Sequence, residues 1–374
     1  MSTRTIPYVD LARQHQPIKQ EILSTISRCL DKGDFILGEA VAEFENRVAN
    51  YCGTRFAVGV NSGTDALFLT LKAYGIGQGD EVITAPNSFL ATASVIVAAG
   101  AQPVFVDVRD DMNINPDLIE KKVAPRTKAI IPVHLTGKPS DMEPIMEIAR
   151  AHHLRVIEDS AQAIGAEYKG KKVGSISDAG CFSLHPLKTL NACGDAGVIT
   201  TNDENLNTLL RQLRNIGLKN RDESDVWGYN SRLDSIQAAI LLVKLNYLDA
   251  WTEKRRKNAA FYLENLQTCT GIIKLPHEEK NERSVYHTFV IQAKQRNELK
   301  NYLEQRDIGT RIHYPIPIHL QKASAPLGLK RGDFPVCERL ADTILSLPIY
   351  PELTEDDLAY VCEMIKEFYR KATP

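Results

Sequence analysis

The sequence predicts an α/β fold: a large domain with a mainly parallel sheet sandwiched by helices, followed by a smaller C-terminal α+β domain. Between residues 56 and 201, short apolar runs of strand length alternate with segments of helical periodicity. Continuous apolar strands separated by helices are typical of a parallel sheet covered on both faces. Beyond a long helical segment near residue 250, strands and helices occur separately. We therefore expect a large domain at residues 1–250 and a small domain at residues 251–374.

The elements of the first half follow this alternation. Apolar residues at helical spacing predict helices at about 17–30 and 39–51. A buried strand at 56–60 leads into a small polar turn at 61–65 and then a helix, an arrangement that can bind an anion. The remaining predictions are strands at 81–85, 103–107, 129–133 and 155–159, and helices at 89–99, 116–123 and 142–152.

In the second half, strands are predicted at 179–182 and 198–201, separated by a turn that contains Pro186. A helix striped by Leu206 to Ile216, a loop at 217–232 and one long helix at about 234–257 come next. The last predicted elements are strands at 286–292 and 311–314, a helix at 296–306, and a final helix with a capping box formed by Thr354 and Asp357.

Composition argues against several classes of protein. With 43% hydrophobic and 25% charged residues, the 374-residue chain has an ordinary globular balance. Its net charge of −2 gives no basic field for nucleic acid or an anionic membrane. Seven scattered cysteines without a Cys-x-x-Cys pair favour a reducing compartment and argue against zinc. No apolar run has signal-peptide or membrane-spanning length, so we expect a cytoplasmic protein with no nucleic-acid or membrane partner.

Polar and aromatic side chains follow the carboxyl ends of the predicted strands, where ligands of open α/β sheets bind. These residues are Asp65, Asn87, Phe89, Asp107, His134 and Asp159. Lys188 lies in a loop just past another strand end, and burial there would lower its amine pKa and favour Schiff-base chemistry. A solvated surface lysine is the alternative interpretation.

Asp159 ends a Val-Ile run, where an unpaired carboxylate would be costly to bury. It is either a helix cap or surface charge, or the partner of a protonated ring nitrogen such as that of pyridoxal phosphate. In the second interpretation Lys188 binds the cofactor aldehyde, residues 61–64 with Ser183 hold the phosphate, and Phe89 covers the ring. The combination, in this order, favours a pyridoxal-phosphate site.

From Ile6 to about Phe368 the chain resembles the DegT/DnrJ/EryC1/StrS family of sugar aminotransferases, pyridoxal-phosphate enzymes of fold type I. The matching motifs are at 35–38, 61–67, 158–162, 182–188, 194–197, 228–232 and 313–319. The resemblance implies that Lys188 and Asp159 are catalytic and that a second subunit supplies Asn230 in a homodimer with shared active sites. The cofactor-binding residues it implies are Gly63, Thr64, Phe89, Asp159, Gln162, Ser183, Lys188 and Asn230. We expect no metal site.

The chain departs from many relatives on both sides of the lysine, at His185 and at Thr189-Leu190-Asn191. The proline-spaced run 313–319 either aims side chains at the substrate or forms a rigid loop with satisfied histidines. We expect the substrate contacts to be His185, Asn191, His313, Tyr314 and His319. Similarity of the 313–319 run to relatives favours a 3-keto sugar.

The function implied by the resemblance is transfer of an amino group from L-glutamate to a keto sugar. The expected substrate is a nucleotide-linked 3-keto-deoxyhexose or related 3-keto sugar, and the product an amino sugar for surface polysaccharide or a secondary metabolite. A 4-keto nucleotide sugar, or a non-nucleotide keto sugar or cyclitol, is the alternative within this class. A non-catalytic regulatory protein is the alternative from another class. A nicotinamide oxidoreductase is disfavoured, because this sequence has no glycine-rich phosphate loop after its first predicted strand.

Overall fold

The computed structural model describes residues 4–269 and 271–372. Within the two predicted domains, residues 1–3, 270 and 373–374 lie outside the described residues. The α-helices are α1 (Leu11–His15), α2 (Lys19–Lys32), α3 (Glu39–Cys52), α4 (Gly63–Ala73), α5 (Leu90–Ala99), α6 (Met142–Ala151), α7 (Glu204–Leu213), α8 (Ser235–Leu245), α9 (Leu248–Leu266), α10 (Arg296–Glu304), α11 (Pro335–Thr343) and α12 (Glu355–Ala372).

The strands confirm most of the predicted alternation. They are β1 (Phe56–Val60), β2 (Glu81–Thr84), β3 (Gln102–Phe105), β4 (Thr127–Ile131), β5 (Arg155–Asp159), β6 (Glu167–Tyr168), β7 (Lys171–Lys172), β8 (Ala179–Ser183), β9 (Gly197–Thr201), β10 (Ile273–Lys274), β11 (Glu282–Arg283), β12 (Phe289–Ala293) and β13 (Ile344–Leu347).

The large sheet has seven strands in the order β1-β9-β8-β5-β4-β2-β3. Strand β9 runs antiparallel to both of its neighbours, and the other pairs are parallel, so the predicted mainly parallel sheet is confirmed. Every residue of β2 and of β9 is buried, as expected for strands covered on both faces. The carboxyl ends of β1, β5 and β8 therefore meet at one edge of the sheet.

A second, antiparallel sheet, β10-β12-β13, lies in the C-terminal part of the chain. Its core includes the fully buried Tyr262 and Phe289 and also Ile6, which pairs with Ile308. The N-terminal segment thus packs with C-terminal residues, while the boundary between 250 and 251 stays a prediction. No helix within residues 4–269 and 271–372 combines the length and apolar character needed to cross a bilayer.

Three predicted elements were wrong. The long helix at 234–257 is two helices, because the chain turns at Asn246 and Tyr247 between α8 and α9. Segment 116–123 forms two short 3₁₀ turns. Segment 311–314 is not a strand: Arg311 makes only an isolated bridge to Ser346 before two prolines, which have no N–H to donate, enter the chain.

Candidate active site

A cavity of about 410 Å³ opens at the edge where β1, β5 and β8 end. Many of the residues predicted from the sequence meet there although they are far apart in the chain. The predicted site residues that line the cavity are Gly63, Thr64, Phe89, Asp159, Gln162, Ser183, His185, Lys188, His313 and Tyr314.

Lys188 lies in the loop that follows β8. Its N–H donates to the carbonyl of His185 at 2.8 Å, and its own carbonyl accepts from Nδ2 of Asn191 at 2.9 Å, so the backbone of the loop is held on both sides. Burial lowers the pKa of the Lys188 amine from 10.5 to about 8, against the opposing charge of Asp159. About a tenth of the amine is therefore uncharged, and nucleophilic, at pH 7.

Asp159 is the last residue of β5 and is buried at the cavity wall. Oδ2 accepts a hydrogen bond from Oγ1 of Thr92 at 2.7 Å, and Oδ1 accepts one from the N–H of Ala161 at 3.2 Å. Burial raises the pKa of this carboxyl, whereas the two hydrogen bonds and the charge of Lys188 oppose that rise. The carboxylate is thus fixed in orientation and directed toward a cavity that also contains a basic amine.

The N-terminus of α4 supplies the opposite kind of group. Oγ of Ser62 caps the helix by accepting from the N–H of Asp65 at 3.1 Å, and no described hydrogen bond engages the N–H groups of Gly63 and Thr64. A Cβ on Gly63 would lie 2.5 Å from Cβ of Ser183, so only glycine allows this close approach. Free N–H groups at the positive end of a helix beside a serine hydroxyl suit a phosphate.

Aromatic and polar side chains form the remaining walls. The rings of Phe89 and Tyr314 lie 5.7 Å apart at 44°. Nε2 of Gln162 donates to the Tyr314 hydroxyl at 3.3 Å. Nδ1 of His313 lies 2.9 Å from Oγ of Ser346, and burial, together with the charges of Lys188 and Arg311, lowers its pKa to about 4. His313 is therefore a neutral ring at physiological pH.

Two predicted substrate contacts are corrected. Asn191 is 1% exposed and does not line the cavity; its amide binds the Lys188 carbonyl and the amine of Lys244. His319 is 2% exposed and lies 3.0 Å from Glu338, packed against Phe334. The Asn191 amide and Nε2 of His319 thus have partners inside the fold, whereas Nδ1 of His319 is buried without a hydrogen-bond partner among the described residues.

Other residues expected at the sheet edge also lie outside the cavity lining. Asp107 accepts from the N–H groups of Val336 and Cys337, and His134 is buried against Glu158. Asp65 and Asn87 do not line the cavity either. Asn230 is exposed on the loop before α8 and does not line the cavity.

The structure adds residues that the sequence did not indicate, among them Tyr8, Thr92, Arg255 and His287. His287 falls within the segment predicted as a strand, but β12 begins only at Phe289 and leaves His287 at the cavity. A histidine inside an apolar strand pattern was the available signal. Tyr8 and Arg255 come from distant segments and had no local signal.

Comparison with known proteins agrees with this chemistry. Residues 16–366 match the DegT/DnrJ/EryC1/StrS aminotransferase family. The chain is 46% identical over 365 residues to a UDP-N-acetyl-3-dehydro-alpha-D-glucosamine 3-aminotransferase of Acidithiobacillus ferrooxidans, covering 96% of this chain and 97% of the relative. It is also 46% identical over 367 residues to a pleiotropic regulatory protein of Geobacillus stearothermophilus, covering 98% and 99%.

A solved structure extends the likeness to three dimensions. DesV of S. venezuelae, determined in complex with a ketimine intermediate, superposes with a TM-score of 0.95 at 40% identity, covering 98% of this chain and 99% of DesV. Aminotransferases of this family depend on pyridoxal phosphate, and solved neighbours include forms that hold it. The chain therefore belongs to the DegT/DnrJ/EryC1/StrS family and is a sugar aminotransferase of fold type I that uses pyridoxal phosphate.

Proposed function

We propose that the chain transfers an amino group from L-glutamate to a nucleotide-linked 3-keto sugar, with Lys188 as its acid and base. The observation that carries this proposal is the pairing, in one cavity, of a lysine of lowered pKa with a buried, oriented carboxylate. Similarity to a relative named as acting on a 3-dehydro sugar nucleotide supports the 3-keto position.

The residues present fit the cofactor. A cavity of about 410 Å³ has room for a small phosphorylated ring and a second ligand. The unengaged N–H groups of Gly63 and Thr64, with Ser183, would hold the phosphate, and Asp159 would pair with the ring nitrogen. Phe89 would lie against the ring. When bound, pyridoxal phosphate supplies an electron sink for the carbanion formed at the reacting carbon.

The side chains of this chain then perform the proton transfers. Nζ of Lys188 takes the proton from Cα of the donor and later delivers a proton to the carbon that receives the amino group. Its lowered pKa, about 8, suits both directions, because a catalytic pKa near the working pH serves an acid and a base. Asp159 holds its charge toward the ring nitrogen while Thr92 and Ala161 fix its orientation.

The assembly we infer is a homodimer with shared active sites. Asn230 is exposed and, in the resemblance, reaches the phosphate of the neighbouring subunit. Trp227, three positions earlier in the chain, is 96% exposed, and Leu187, next to Lys188, is 49% exposed. Large exposed apolar side chains favour a covering partner, here a second copy of the chain.

The decisive experiment separates the two half-reactions. Glutamate converts the cofactor to its pyridoxamine form, the excess is removed, and 3-keto and 4-keto nucleotide sugars are added one at a time. We expect the pyridoxal absorbance to return with a 3-keto sugar. If the absorbance returns with a 4-keto sugar instead, the substrate carries its keto group at C4. If it returns with neither nucleotide sugar but with a free keto sugar or cyclitol, the substrate is not nucleotide-linked. Failure of glutamate to convert the cofactor contradicts the donor.

A regulatory role is the second candidate, because one relative at 46% identity is named a pleiotropic regulatory protein. The net charge of −2 gives no overall basic field that would favour DNA. Absence of salt-dependent DNA binding by the purified protein would remove a direct DNA-binding role.

A further inference from the structure

Lysine, arginine, histidine and aspartate side chains line the reacting part of the cavity, and two of the histidines, His287 and His313, are neutral. The basic residues that line it are Lys188, Arg255, His185, His287 and His313, and the carboxylates are Asp159 and Asp195. Asp159 is already engaged by Thr92 and Ala161, and Asp195 is exposed. Asp159 acts on the charge of Lys188, whereas Arg255 forms no ion pair with a described carboxylate of the cavity lining.

Arg255 is the clearest member of this set, since its side chain is buried, with 5% of the residue exposed. Nη1 donates to the carbonyl of Ile349 at 2.6 Å and more weakly to that of Tyr286 at 3.5 Å. No described hydrogen bond uses Nε or Nη2, and Arg255 forms no ion pair with a described Asp or Glu. Glu352 acts on its charge from beyond ion-pair distance and does not line the cavity.

A buried guanidinium with unused donors is costly unless an anion pairs with it. Burial lowers the pKa of Arg255 to about 10, so it remains charged at neutral pH. Its planar fork matches a carboxylate, which can accept two parallel hydrogen bonds.

His287 provides an independent sign of a missing ligand. Its Nδ1 is buried and has no hydrogen-bond partner among the described residues, although the ring lines the cavity. Burial and the charges of Lys188 and Arg255 lower its pKa, so the ring is neutral. Buried polar atoms without a partner are rare in proteins, and one at a cavity wall indicates a group that a ligand can engage.

We propose that Arg255, with His287 beside it, binds a carboxylate of the amino donor. This subsite deepens the aminotransferase function proposed above and rests on it. In an amino acid the α-carboxylate is bonded directly to the carbon whose proton Lys188 removes, so the group that holds it must lie near Lys188. A nucleotide sugar without a carboxyl group carries its charge on the diphosphate, which the sugar ring separates from the keto carbon.

The test measures binding of glutarate, a dicarboxylate with no amine to react, to the holoenzyme by calorimetry. Arg255→Met should raise the dissociation constant for glutarate by about 30-fold or more, since removing one partner of a buried charged pair has effects of that size. The half-reaction with L-glutamate should slow in parallel, while the half-reaction of the pyridoxamine form with the keto sugar changes by no more than about threefold.

The adjacent Arg256 is the matched control. It lies on the same helix but pairs with Glu278 at 2.8 Å and donates to the carbonyl of Ser284 at 2.7 Å, outside the cavity lining. Arg256→Met should leave glutarate binding within about twofold of the unchanged protein. Arg255→Lys covers the case in which Arg255→Met does not fold, because it keeps the charge and loses only the fork; we expect glutarate to bind about tenfold more weakly.

The outcomes distinguish the subsite from the function. Unchanged glutarate binding in both Arg255 variants overturns the subsite, whatever their transaminase rates. Weaker binding of UDP-glucuronate with unchanged glutarate assigns the anion site to the sugar and overturns the donor assignment. Arg255-dependent glutarate binding in a protein that aminates no ketone supports the subsite while the proposed function fails.

Discussion

Replacing Asp159 by asparagine removes one negative charge from the cavity and keeps the shape of the side chain. Asparagine can still accept from the N–H of Ala161, so the fold and cofactor binding should be retained. We expect the glutamate half-reaction to slow by about 100-fold or more, the usual effect of losing one preorganised electrostatic contact. Stopped-flow absorbance measures the rate, and absorbance after desalting measures the retained cofactor.

Asp195→Asn is the control for that variant, because Asp195 also lines the cavity but is exposed. It removes the same charge at a solvated position and should change the rate by less than about threefold. Equal effects of the two changes would mean that general electrostatics, rather than pairing of Asp159 with the ring nitrogen, controls the rate.

The lowered pKa of Lys188 also predicts how stability depends on pH. The amine titrates at about 8 in the folded protein and at 10.5 ordinarily, so between these values the unfolded chain binds more protons and stability rises with pH. Lys188→Met removes the titrating amine and with it this pH-dependent contribution to stability. In cofactor-free protein, the variant's stability advantage should be largest below pH 8 and shrink toward pH 10.5. Urea unfolding of both proteins measures it, and an advantage that is constant with pH would contradict the burial of the charge.

Site residues were predictable where a charged residue or a glycine follows the end of an apolar strand. Lys188 and Asp159 each follow an apolar run, and Gly63 lies between a strand and a helix, so sequence order alone gathers them at one edge. Arg255 was not predictable, because its burial depends on how α9 docks against Ile349 almost a hundred positions later. Asn191 was misassigned because sequence cannot distinguish a side chain that faces a cavity from one that supports a loop.

At the scale of elements, the cap of α4 couples helix stability to cofactor binding. Ser62→Ala removes the acceptor for the N–H of Asp65, which should lower the free energy of unfolding by about 1 kcal/mol. The freed N–H also disturbs the anion site at Gly63 and Thr64, so the dissociation constant for pyridoxal phosphate should rise about three- to tenfold. Urea unfolding and fluorescence titration of the cofactor-free protein give the two quantities.

The cap of α7 offers a matched control for this coupling. Asp203 accepts from the N–H groups of Asn205 and Leu206, and it does not line the cavity. Asp203→Ala should therefore lower stability by a similar amount, about 1 kcal/mol, without changing cofactor affinity. If both variants weaken the cofactor equally, the effect of Ser62 is general destabilisation.

Elements were predictable where one periodicity is uninterrupted, as in α3, β1 and β5. The break between α8 and α9 was not, because helical spacing resumes after Asn246 and hides a turn of two residues. The short strand β13 was missed since every one of its residues is buried and no alternation marks it.

At the scale of the whole molecule, the sheet order joins residues that local patterns leave apart. Ile6 pairs with Ile308, which brings the N-terminal segment, including Tyr8, against the C-terminal core and into the cavity wall. The described cavity is thus built from both ends of the chain. It does not include Asn230, as expected if this residue contacts the cofactor of a second copy, which is the assembly proposed above.

Mixing two impaired variants, at a cofactor concentration too low to load the weakened site, tests whether the active site is shared. Lys188→Ala removes the amine, and Asn230→Ala is expected to weaken cofactor binding in the neighbouring site. If Asn230 acts across the interface, a mixed dimer has one site with both substitutions and one site with neither. Random re-association of equal amounts makes half of the dimers mixed, so about a quarter of the original activity should return. If Asn230 acted within its own chain, every site would carry one substitution, and mixing would add no activity to the sum of the separate variants.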